Sequence, residues 1–334
     1  MNGTLESRLK EIFDAVFIYS PEEYSIGGQR FPVIGASGTI PAPLVASLEG
    51  QLYSLCYSRE FRLPLDLSPG TADPLDTLLI ELSAANATRE RWDHGWKVTQ
   101  LLPNGSLYAQ KEAQSRMLWP GEYMLLEPDV PAQPGAWIRA FLSKEDTRSQ
   151  PGFYIVQPEI ALSWEDYQTL VRFYWNLEAE GAAELLRLIT ERFNALRVPF
   201  QFKTLRYRSQ YRRADSAVLF TGWRYAAIAM RLSAEVYRTV RNRMKSYTPL
   251  FAKRLAPGLA LAEDPGNGQS FGMLRCRMLA ECVWNAYQKR LQSHKARMTE
   301  FKASLEAAGV PLEAPYLSLS SVDHYCSEAE FAAL

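Results

Sequence analysis

The stretch from Pro257 to Tyr287, PGLALAEDPGNGQSFGMLRCRMLAECVWNAY, constrains the fold more than any other part of this chain. A short apolar run, residues 259–262, stops at the two acids Glu263 and Asp264 and is followed by a turn rich in Pro and Gly. Apolar side chains then recur at helical spacing, which predicts a helix with Ser270 as its N-cap. The stretch therefore predicts a strand, a loop and a helix in close succession.

Such a corner suits an anion, because free N–H groups and the positive end of the helix dipole point out of it. Arg275 and Arg277, early in the helix, would add positive charge. The spacing of Gly266, Gly268 and Gly272 does not match a dinucleotide-binding turn, and no Lys-Ser/Thr pair follows as in a P-loop. A purely structural connection between strand and helix is the alternative interpretation.

Charge and hydropathy narrow the class of protein. The 334 residues contain 37 basic and 37 acidic side chains, a balance that argues against a dedicated nucleic-acid binder. No apolar run is long enough to span a bilayer, so no membrane association is expected. Residues 1–13 are amphipathic and contain acids, which is atypical of a signal peptide. We therefore expect a cytoplasmic protein, with export left open.

The metal-binding and nucleophilic residue types are sparse. The chain has three histidines and no C-x-x-C pair among its cysteines, which are Cys56, Cys276, Cys282 and Cys326. We expect reduced, mostly buried thiols, no metal and no cofactor. The sequence also lacks a G-x-S-x-G elbow, an H-E-x-x-H motif and the H-R-D and D-F-G motifs of kinases.

Hydrophobic periodicity predicts an α+β fold, in which an N-terminal helical lobe is followed by a mixed or antiparallel sheet flanked by helices. Helices are predicted at 4–19, 44–58, 74–91, 182–196, 223–245 and 295–308, and a loop at 24–43. Strands are predicted at 96–102, 106–111, 122–126, 136–142, 153–156, 170–177, 199–206 and 217–221. Asn104-Gly105 predicts a hairpin turn. The predicted domains are a helical lobe (1–90), an α+β domain (91–310) and a C-terminal tail (311–334).

The segment KTLRYRSQYRR concentrates positive charge in an otherwise neutral protein. Five cations precede the first acid, Asp215, and these are Lys203, Arg206, Arg208, Arg212 and Arg213. A solvated hairpin rim is the simpler interpretation. Arginine, however, grips phosphate in a bidentate manner, and lysine near other cations has a lowered pKa and can act as a base. The segment therefore suits a phosphorylated substrate from which a proton is also removed.

The motifs GLALAEDPGNGQSFGMLRC, PFQFKTL and YRRADSAVLF, together with DHGW, PGEY and QPGFY, resemble the HopA-type family over approximately residues 90–290. That family is named for a type III secretion effector of plant-pathogenic bacteria. Related proteins act with a separate kinase in the biosynthesis of thioviridamide-like and class V lanthipeptides. The kinase phosphorylates Ser or Thr of a precursor peptide, and the HopA-type partner is understood to eliminate the phosphate. The resemblance thus implies a phosphoserine/phosphothreonine lyase, with a phosphorylated peptide and a Ser/Thr kinase as partners.

The resemblance also implies roles for particular residues. By analogy with bacterial phosphothreonine lyases, Lys203 is the predicted base. Those lyases use a histidine as general acid, whereas the two main motifs here contain none, so Tyr211 and His94 are the candidate acids. The predicted phosphate-binding residues are Arg206, Arg213 and Arg275. The residues predicted to orient the substrate are Asp215, Glu263, Asp264 and Ser270.

Two other functions are compatible with the sequence. One is a non-catalytic HopA-type effector or interaction protein that binds a phosphopeptide or a protein partner. The other is an RNA-binding surface that combines the Tyr-rich basic hairpin with the basic residues of helix 223–245. A lyase requires Lys203 and the arginines to converge on one concave pocket, whereas an RNA binder requires a continuous basic face.

Overall fold

The computed structural model describes residues 4–33, 42–68, 70, 73–112, 114–127, 131–266, 269–319 and 321–334. The helices are α1 (Leu5–Ala15), α2 (Ala42–Leu52), α3 (Leu78–Ala85), α4 (Trp164–Gln168), α5 (Ala182–Ala195), α6 (Ala226–Val240), α7 (Phe271–Gln288), α8 (His294–Ala307) and α9 (Glu328–Ala333). A π-helical turn, Tyr53–Tyr57, continues α2. None of the helices in the described part is long and apolar enough to cross a bilayer.

The strands form three sheets. The N-terminal sheet contains β1 (Val16–Ser20), β2 (Glu23–Ile26) and β3 (Gln29–Pro32). The second sheet contains β4 (Arg91–Leu101), β5 (Leu107–Lys111), β6 (Gln114–Leu118), β7 (Tyr123–Leu125) and β8 (Trp137–Leu142). The main sheet contains β9 (Glu145–Asp146), β10 (Phe153–Val156), β11 (Leu170–Trp175), β12 (Gln201–Leu205), β13 (Ala217–Gly222), β14 (Lys253–Ala256) and β15 (Leu259–Glu263).

The main sheet is antiparallel in each of its described pairs and has the strand order β14-β15-β11-β13-β12-β10-β9. Its central strands are apolar on both faces, as expected for a sheet covered by other elements. In β11, Phe173 and Trp175 are fully buried on one face, while Tyr174 on the other face meets Tyr57 edge-on. Tyr57 in turn contacts Phe271 at the start of α7. The π-helical turn and α7 thus cover part of one face of the sheet.

The α+β fold class predicted from the sequence is confirmed. The Asn104-Gly105 turn joins β4 to β5 as predicted, with Gly105 at a φ of 82°. The predicted helix 4–19 ends at Ala15, where the chain enters β1, and the described part of the predicted loop 24–43 forms most of β2 and all of β3. The first 90 residues therefore contain a three-stranded sheet as well as the predicted helices. The predicted tail contains α9. The predicted turn after β15 is described at Gly266, but Gly268 and part of the predicted loop at 24–43 lie outside the described residues.

Apolar side chains from the first 90 residues and from the main sheet belong to one buried cluster, which extends from Leu9 to Phe331. The second sheet has a separate cluster around Trp96 and Ile138. The predicted division at residue 90 stays a prediction, since this packing alone does not define independent folding units.

Candidate functional site

Three cations alternate with two phenyl rings across one face of the main sheet, and we call this arrangement the cation row. Cross-strand partners share a face of an antiparallel sheet, so Arg172 on β11 lies opposite Phe220 on β13. On the same face, Lys203 on β12 is the diagonal neighbour of Phe220, and Phe153 on β10 is the diagonal neighbour of Lys203. Arg172 Cζ lies 5.3 Å from the centre of the Phe220 ring. Lys203 Nζ lies 5.7 Å from that ring and 4.6 Å from the Phe153 ring. Arg213 completes the row, with Cζ 6.0 Å from the Phe153 ring.

Lys203 is half-buried within this row. Its Nζ donates a hydrogen bond to Gln150 Oε1 at 3.3 Å, and no carboxylate among the described residues forms a salt bridge with it. Burial lowers the pKa of the Lys203 amine, and the positive charges of Arg172 and Arg213 lower it further, while the Asp215 carboxylate offsets part of this effect. A larger fraction of neutral amine is therefore available at neutral pH than for an exposed lysine.

Arg213 is held by a buried carboxylate and a tyrosine. Its Nε and Nη2 donate to Asp215 Oδ1 and Oδ2 at 2.8 and 2.7 Å, and Nη2 also lies 3.1 Å from Tyr53 Oη. The Tyr53 hydroxyl donates to Asp215 Oδ2 at 3.0 Å. Burial alone would lower the pKa of Arg213, but the Asp215 carboxylate outweighs burial and raises it. Asp215 therefore fixes a permanently charged guanidinium beside Lys203.

Arg59, Arg212 and Arg213 line one cavity of about 400 Å³, which we call the arginine pocket. Phe153 lines the same cavity, so the pocket and Lys203 share one ring. Arg212 pairs with Asp66, whereas Arg59 donates only a long bond, 3.4 Å, to the Asp66 carbonyl among the described contacts.

Arg59 is the unneutralised charge in this pocket. Its Nε is buried and has no hydrogen-bond partner in the described part of the chain. Burial lowers the pKa of Arg59, and the neighbouring charges of Arg212 and Arg213 lower it further. A buried donor without a partner, beside like charges, favours the binding of an anion. The anion would accept the hydrogen bond and neutralise the positive charge.

At the other end of the row, Arg172 pairs with Asp264 in a short, nearly buried contact. The Asp264 backbone N–H donates to Leu170 O at 2.7 Å, so the chain after β15 is tied to the start of β11. Asp264 thus orients an arginine. Arg172 was not predicted from the sequence, and its only signal is a single charge inside the apolar run LVRFYWNL.

Arg275, a predicted phosphate ligand, lies in the interior and away from the cation row. Its Nε and Nη2 donate to the carbonyls of Pro315 and Leu317, each at 2.9 Å, and its side chain is 3% exposed. Burial lowers its pKa to about 10. The guanidinium ties α7 to the C-terminal segment, which is why we leave Arg275 out of the candidate site.

Tyr211 and Glu263 are also engaged in internal contacts. The Tyr211 hydroxyl donates to Leu205 O at 2.7 Å and shares a hydrogen bond with Thr204, which faces away from Lys203 on β12. Burial raises the pKa of Tyr211, so the phenol is a poor acid there. Glu263 accepts hydrogen bonds from three donors of the C-terminal segment, which are Ser318 N, Ser321 Oγ and Tyr325 Oη.

The remaining predicted residues lie apart from the cation row. His94 is on β4 in the second sheet and accepts from Arg139 at 3.0 Å. Arg206 stacks on Tyr207, its neighbour in sequence, with Cζ 4.9 Å from the ring centre. Ser270 is the N-cap residue of α7, as predicted, but its side chain makes no capping hydrogen bond. Of the ten predicted site residues, the structure brings Lys203, Arg213, Asp215 and Asp264 together around the row.

No group of His, Cys, Asp and Glu side chains in the described ranges is arranged to hold a metal ion. The cation row and the arginine pocket bring together one amine with a lowered pKa, several guanidiniums and the tyrosine–carboxylate pair that positions one of them.

Residues 144–317 match the HopA1 effector protein family, which is more than half of the chain. The chain belongs to this family, as its motifs indicated. The matched segment contains the whole main sheet and the cation row, while Arg59 and the second sheet lie outside it.

Two solved structures are similar to this chain. One is an effector protein from Pseudomonas syringae pv. tomato strain DC3000, with 16% identity and a TM-score of 0.47 over 83% of this chain and 95% of that chain. The other is an effector protein from Pseudomonas syringae pv. syringae strain 61, with 19% identity and a TM-score of 0.39 over 50% of this chain and 63% of that chain. No curated protein sequence matches the chain.

Proposed function

We propose that this protein is a lyase that eliminates phosphate from phosphoserine or phosphothreonine in a peptide and leaves a dehydroamino acid. The observation that carries the proposal is the position of Lys203, an amine with a lowered pKa, directly beside the arginine pocket. β-Elimination needs these two functions together, namely a base for the Cα proton and a cationic pocket for the departing phosphate.

In the proposed step, neutral Lys203 takes the Cα proton of the phosphorylated residue. The electron pair of the C–H bond forms the Cα–Cβ double bond, the Cβ–O bond breaks, and its electron pair leaves with the phosphate. Lys203 ends as an ammonium and returns its proton to solvent. Because protonation of Lys203 is opposed by burial and by Arg172 and Arg213, the amine is regenerated readily.

The arginine pocket performs the electrostatic part of the reaction. Arg59, Arg212 and Arg213 stabilise the negative charge that grows on the phosphate as the Cβ–O bond breaks. Asp215 and Tyr53 keep Arg213 in place before the substrate arrives, so little reorganisation is needed during the reaction. With this stabilisation the phosphate leaves as an anion, and the step does not depend on a general acid.

The substrate must be phosphorylated before it reaches this site. The given sequence lacks the H-R-D and D-F-G motifs of kinases, and in the proposed function the phosphoryl group comes from another enzyme. A separate Ser/Thr kinase is therefore the proposed functional partner, as the family resemblance implies.

Mass spectrometry of mixed phosphoserine and phosphothreonine peptides, incubated with the protein, tests the proposed function. We expect loss of phosphoric acid and a product that adds a thiol, and we expect Lys203→Ala to abolish both. Lys97→Ala, on the second sheet, is the control and should leave turnover unchanged. Peptides that bind but stay phosphorylated would contradict the lyase and favour a non-catalytic binding protein.

A further inference from the structure

A second cavity, of about 520 Å³, lies between the edges of two sheets. β6 is one of the two outer strands of the second sheet, and β9 is one of the two outer strands of the main sheet. The consecutive residues 114–119 all line this cavity. Because successive side chains of a strand point to opposite faces, a cavity lined by every residue of β6 is open to the edge of that strand. We call this cavity the inter-sheet cleft.

The inter-sheet cleft leads to Lys203. Gln201 lines the cleft and lies two residues before Lys203 on the same face of β12, roughly 7 Å along the strand. The segment before β10 connects the two cavities, since Ser149 lines the cleft and Pro151 lines the arginine pocket. Gln150, between them, holds the Lys203 amine. A chain lying in the cleft would therefore reach the base at one end.

Arg116 is the cation of the cleft that lacks a carboxylate partner. It lies on β6, donates to Gln157 Oε1 at 2.9 Å and stands over Trp96, with Cζ 5.9 Å from the ring. No carboxylate of the described residues forms a salt bridge with it. Burial lowers its pKa, the charge of Arg91 adds to this effect, and Tyr167 and the more distant carboxylates of Asp146 and Asp93 offset it only in part. A carboxylate from a ligand would pair with the partly buried Arg116 guanidinium and offset the cost of its desolvation.

The other charges of the cleft already have partners. Arg148 pairs with Glu122 at 3.0 Å. Glu145 accepts a hydrogen bond from Tyr154, and Asp146 accepts from the backbone and side chain of Ser149. A ligand in the cleft would therefore place an acidic group at Arg116 and form main-chain hydrogen bonds with the edge of β6.

We propose that the inter-sheet cleft binds the peptide that flanks the phosphorylated residue, extended alongside β6, with an acidic side chain of the peptide on Arg116. An exposed strand edge offers unpaired N–H and C=O groups, and an extended peptide satisfies them by adding a strand. The identification of the flanked residue as phosphorylated rests on the proposed function. The cleft itself rests on the geometry of β6, Arg116 and Lys203.

Binding of phosphonate peptides tests this inference. In these peptides a CH₂ group replaces the ester oxygen, so they bind without being eliminated. A series of peptides carries a central phosphonate with about six residues on either side, enough for one flank to span residues 114–119 as an extended strand. Each flanking position is either Glu or Lys in turn. Fluorescence anisotropy should show one position where Glu binds roughly tenfold or more tightly than Lys. Arg116→Glu should reverse that preference at the same position.

Arg139→Glu is the matched control, because Arg139 lies on β8 of the same sheet but does not line the cleft. It should leave the preference unchanged. A preference that is absent, or that Arg139→Glu reverses equally well, would overturn the inference. Hydrogen exchange gives a second measurement, in which the amides of residues 114–119 should become at least several-fold slower to exchange with peptide bound; no change there would also overturn it.

The chemistry of elimination is tested separately. Reversal of the preference by Arg116→Glu, without elimination of the corresponding phosphate esters, would overturn the lyase and support the cleft. Elimination that is unaffected by Arg116→Glu and that leaves the hydrogen exchange of β6 unchanged would support the lyase and overturn the proposed binding of the peptide in the cleft.

Discussion

Lys203 is held half-buried between two phenyl rings, with a guanidinium beyond each ring. The lysine and Arg213 were predicted because both lie in a run of cations that contains no acid. Arg172 and Arg59 were not predicted, since each is a single charge in an ordinary context and gains its meaning only when distant segments meet. When a site is built across four strands, its sequence therefore reveals the clusters of charged residues but not the single charged residues that join them only in the fold.

The pH dependence of turnover tests the environment of Lys203. Only the neutral amine accepts a proton, so kcat/KM should rise with pH and level off at a pKa below the ordinary value of 10.5. Arg172→Gln removes one charge that lowers this pKa and should move the profile to higher pH. Arg187→Gln, on the exposed face of α5, should not move it. A profile that stays in place or moves to lower pH after Arg172→Gln would contradict this role of Arg172.

Substitutions of Arg59 and Arg275 should have opposite effects on phosphonate binding and on the free energy of unfolding. Arg59→Gln should weaken binding of a phosphonate peptide about tenfold and leave the free energy of unfolding nearly unchanged, because no carboxylate loses its partner. Arg275→Gln should leave that affinity unchanged and lower the free energy of unfolding by roughly 2–4 kcal/mol, because two buried carbonyls lose a charged donor. Urea unfolding and anisotropy titrations measure the two effects. If Arg275→Gln instead weakened binding without lowering the free energy of unfolding, Arg275 would belong to the phosphate site after all.

At the scale of elements, the site depends on how the π-helical turn packs on α7. Tyr53 and Tyr57 stack with their ring centres 5.2 Å apart, and Tyr53 positions Asp215 and Arg213. Gly272, in the first turn of α7, lies against Tyr57, where an added Cβ would stand 2.3 Å from a ring carbon. α7 thus supports the arginine pocket indirectly, through two rings.

Gly272→Ala should displace the Tyr57 ring, lower the melting temperature and weaken phosphonate binding several-fold through Tyr53. Gly50→Ala is the control, because Gly50 lies in α2 and no described atom lies within 4 Å of the place that its added methyl group would take. Alanine there should stabilise the protein by roughly 0.5–1 kcal/mol. Differential scanning calorimetry and anisotropy give both values. Equal behaviour of the two variants would show that the contact between α7 and the turn does not matter.

The elements themselves were predictable where the periodicity is strong. Strands β11, β12, β13 and β15 and helix α5 lie within a few residues of their predicted bounds, because each has a continuous or alternating apolar pattern. Strand β1 was missed because it lies in the predicted helix 4–19, and β6 because its segment has no clear pattern. Strands β2, β3, β9 and β14 were missed because they are at most four residues long and lie in segments without a clear pattern. Their pairing partners, rather than their own residues, make them strands.

At the scale of the whole molecule, the N-terminal helices and the main sheet contribute to one apolar cluster. The order of the main sheet inserts β11 between β15 and β13, a non-local arrangement that periodicity alone does not predict. The site depends on this order, because it brings Arg172 of β11 to the row that contains Lys203 of β12. Membership of the HopA1 effector protein family covers the sheet but not Arg59, which the N-terminal part of the chain supplies.

Removal of residues 1–90 tests how far the predicted domains are independent. Because Leu9, Leu48 and Leu82 are fully buried in the shared cluster, we expect the truncated chain to lose cooperative unfolding and to expose apolar surface. Calorimetry and binding of a hydrophobic dye measure this. A truncated chain with a sharp thermal transition would support the predicted boundary at residue 90 and contradict a shared core.

The most direct test of the proposed elimination is the fate of a Cα-deuterated phosphoserine peptide in ¹⁸O-labelled water, followed by mass spectrometry. We expect dehydroalanine and phosphate without ¹⁸O, slower formation from the deuterated than from the protiated peptide, and no product with Lys203→Arg, which keeps the charge but cannot act as a base. Serine as the product, with ¹⁸O in the serine or in the phosphate and the same rate from both peptides, would mean hydrolysis and would contradict the role of Lys203 as the base of an elimination.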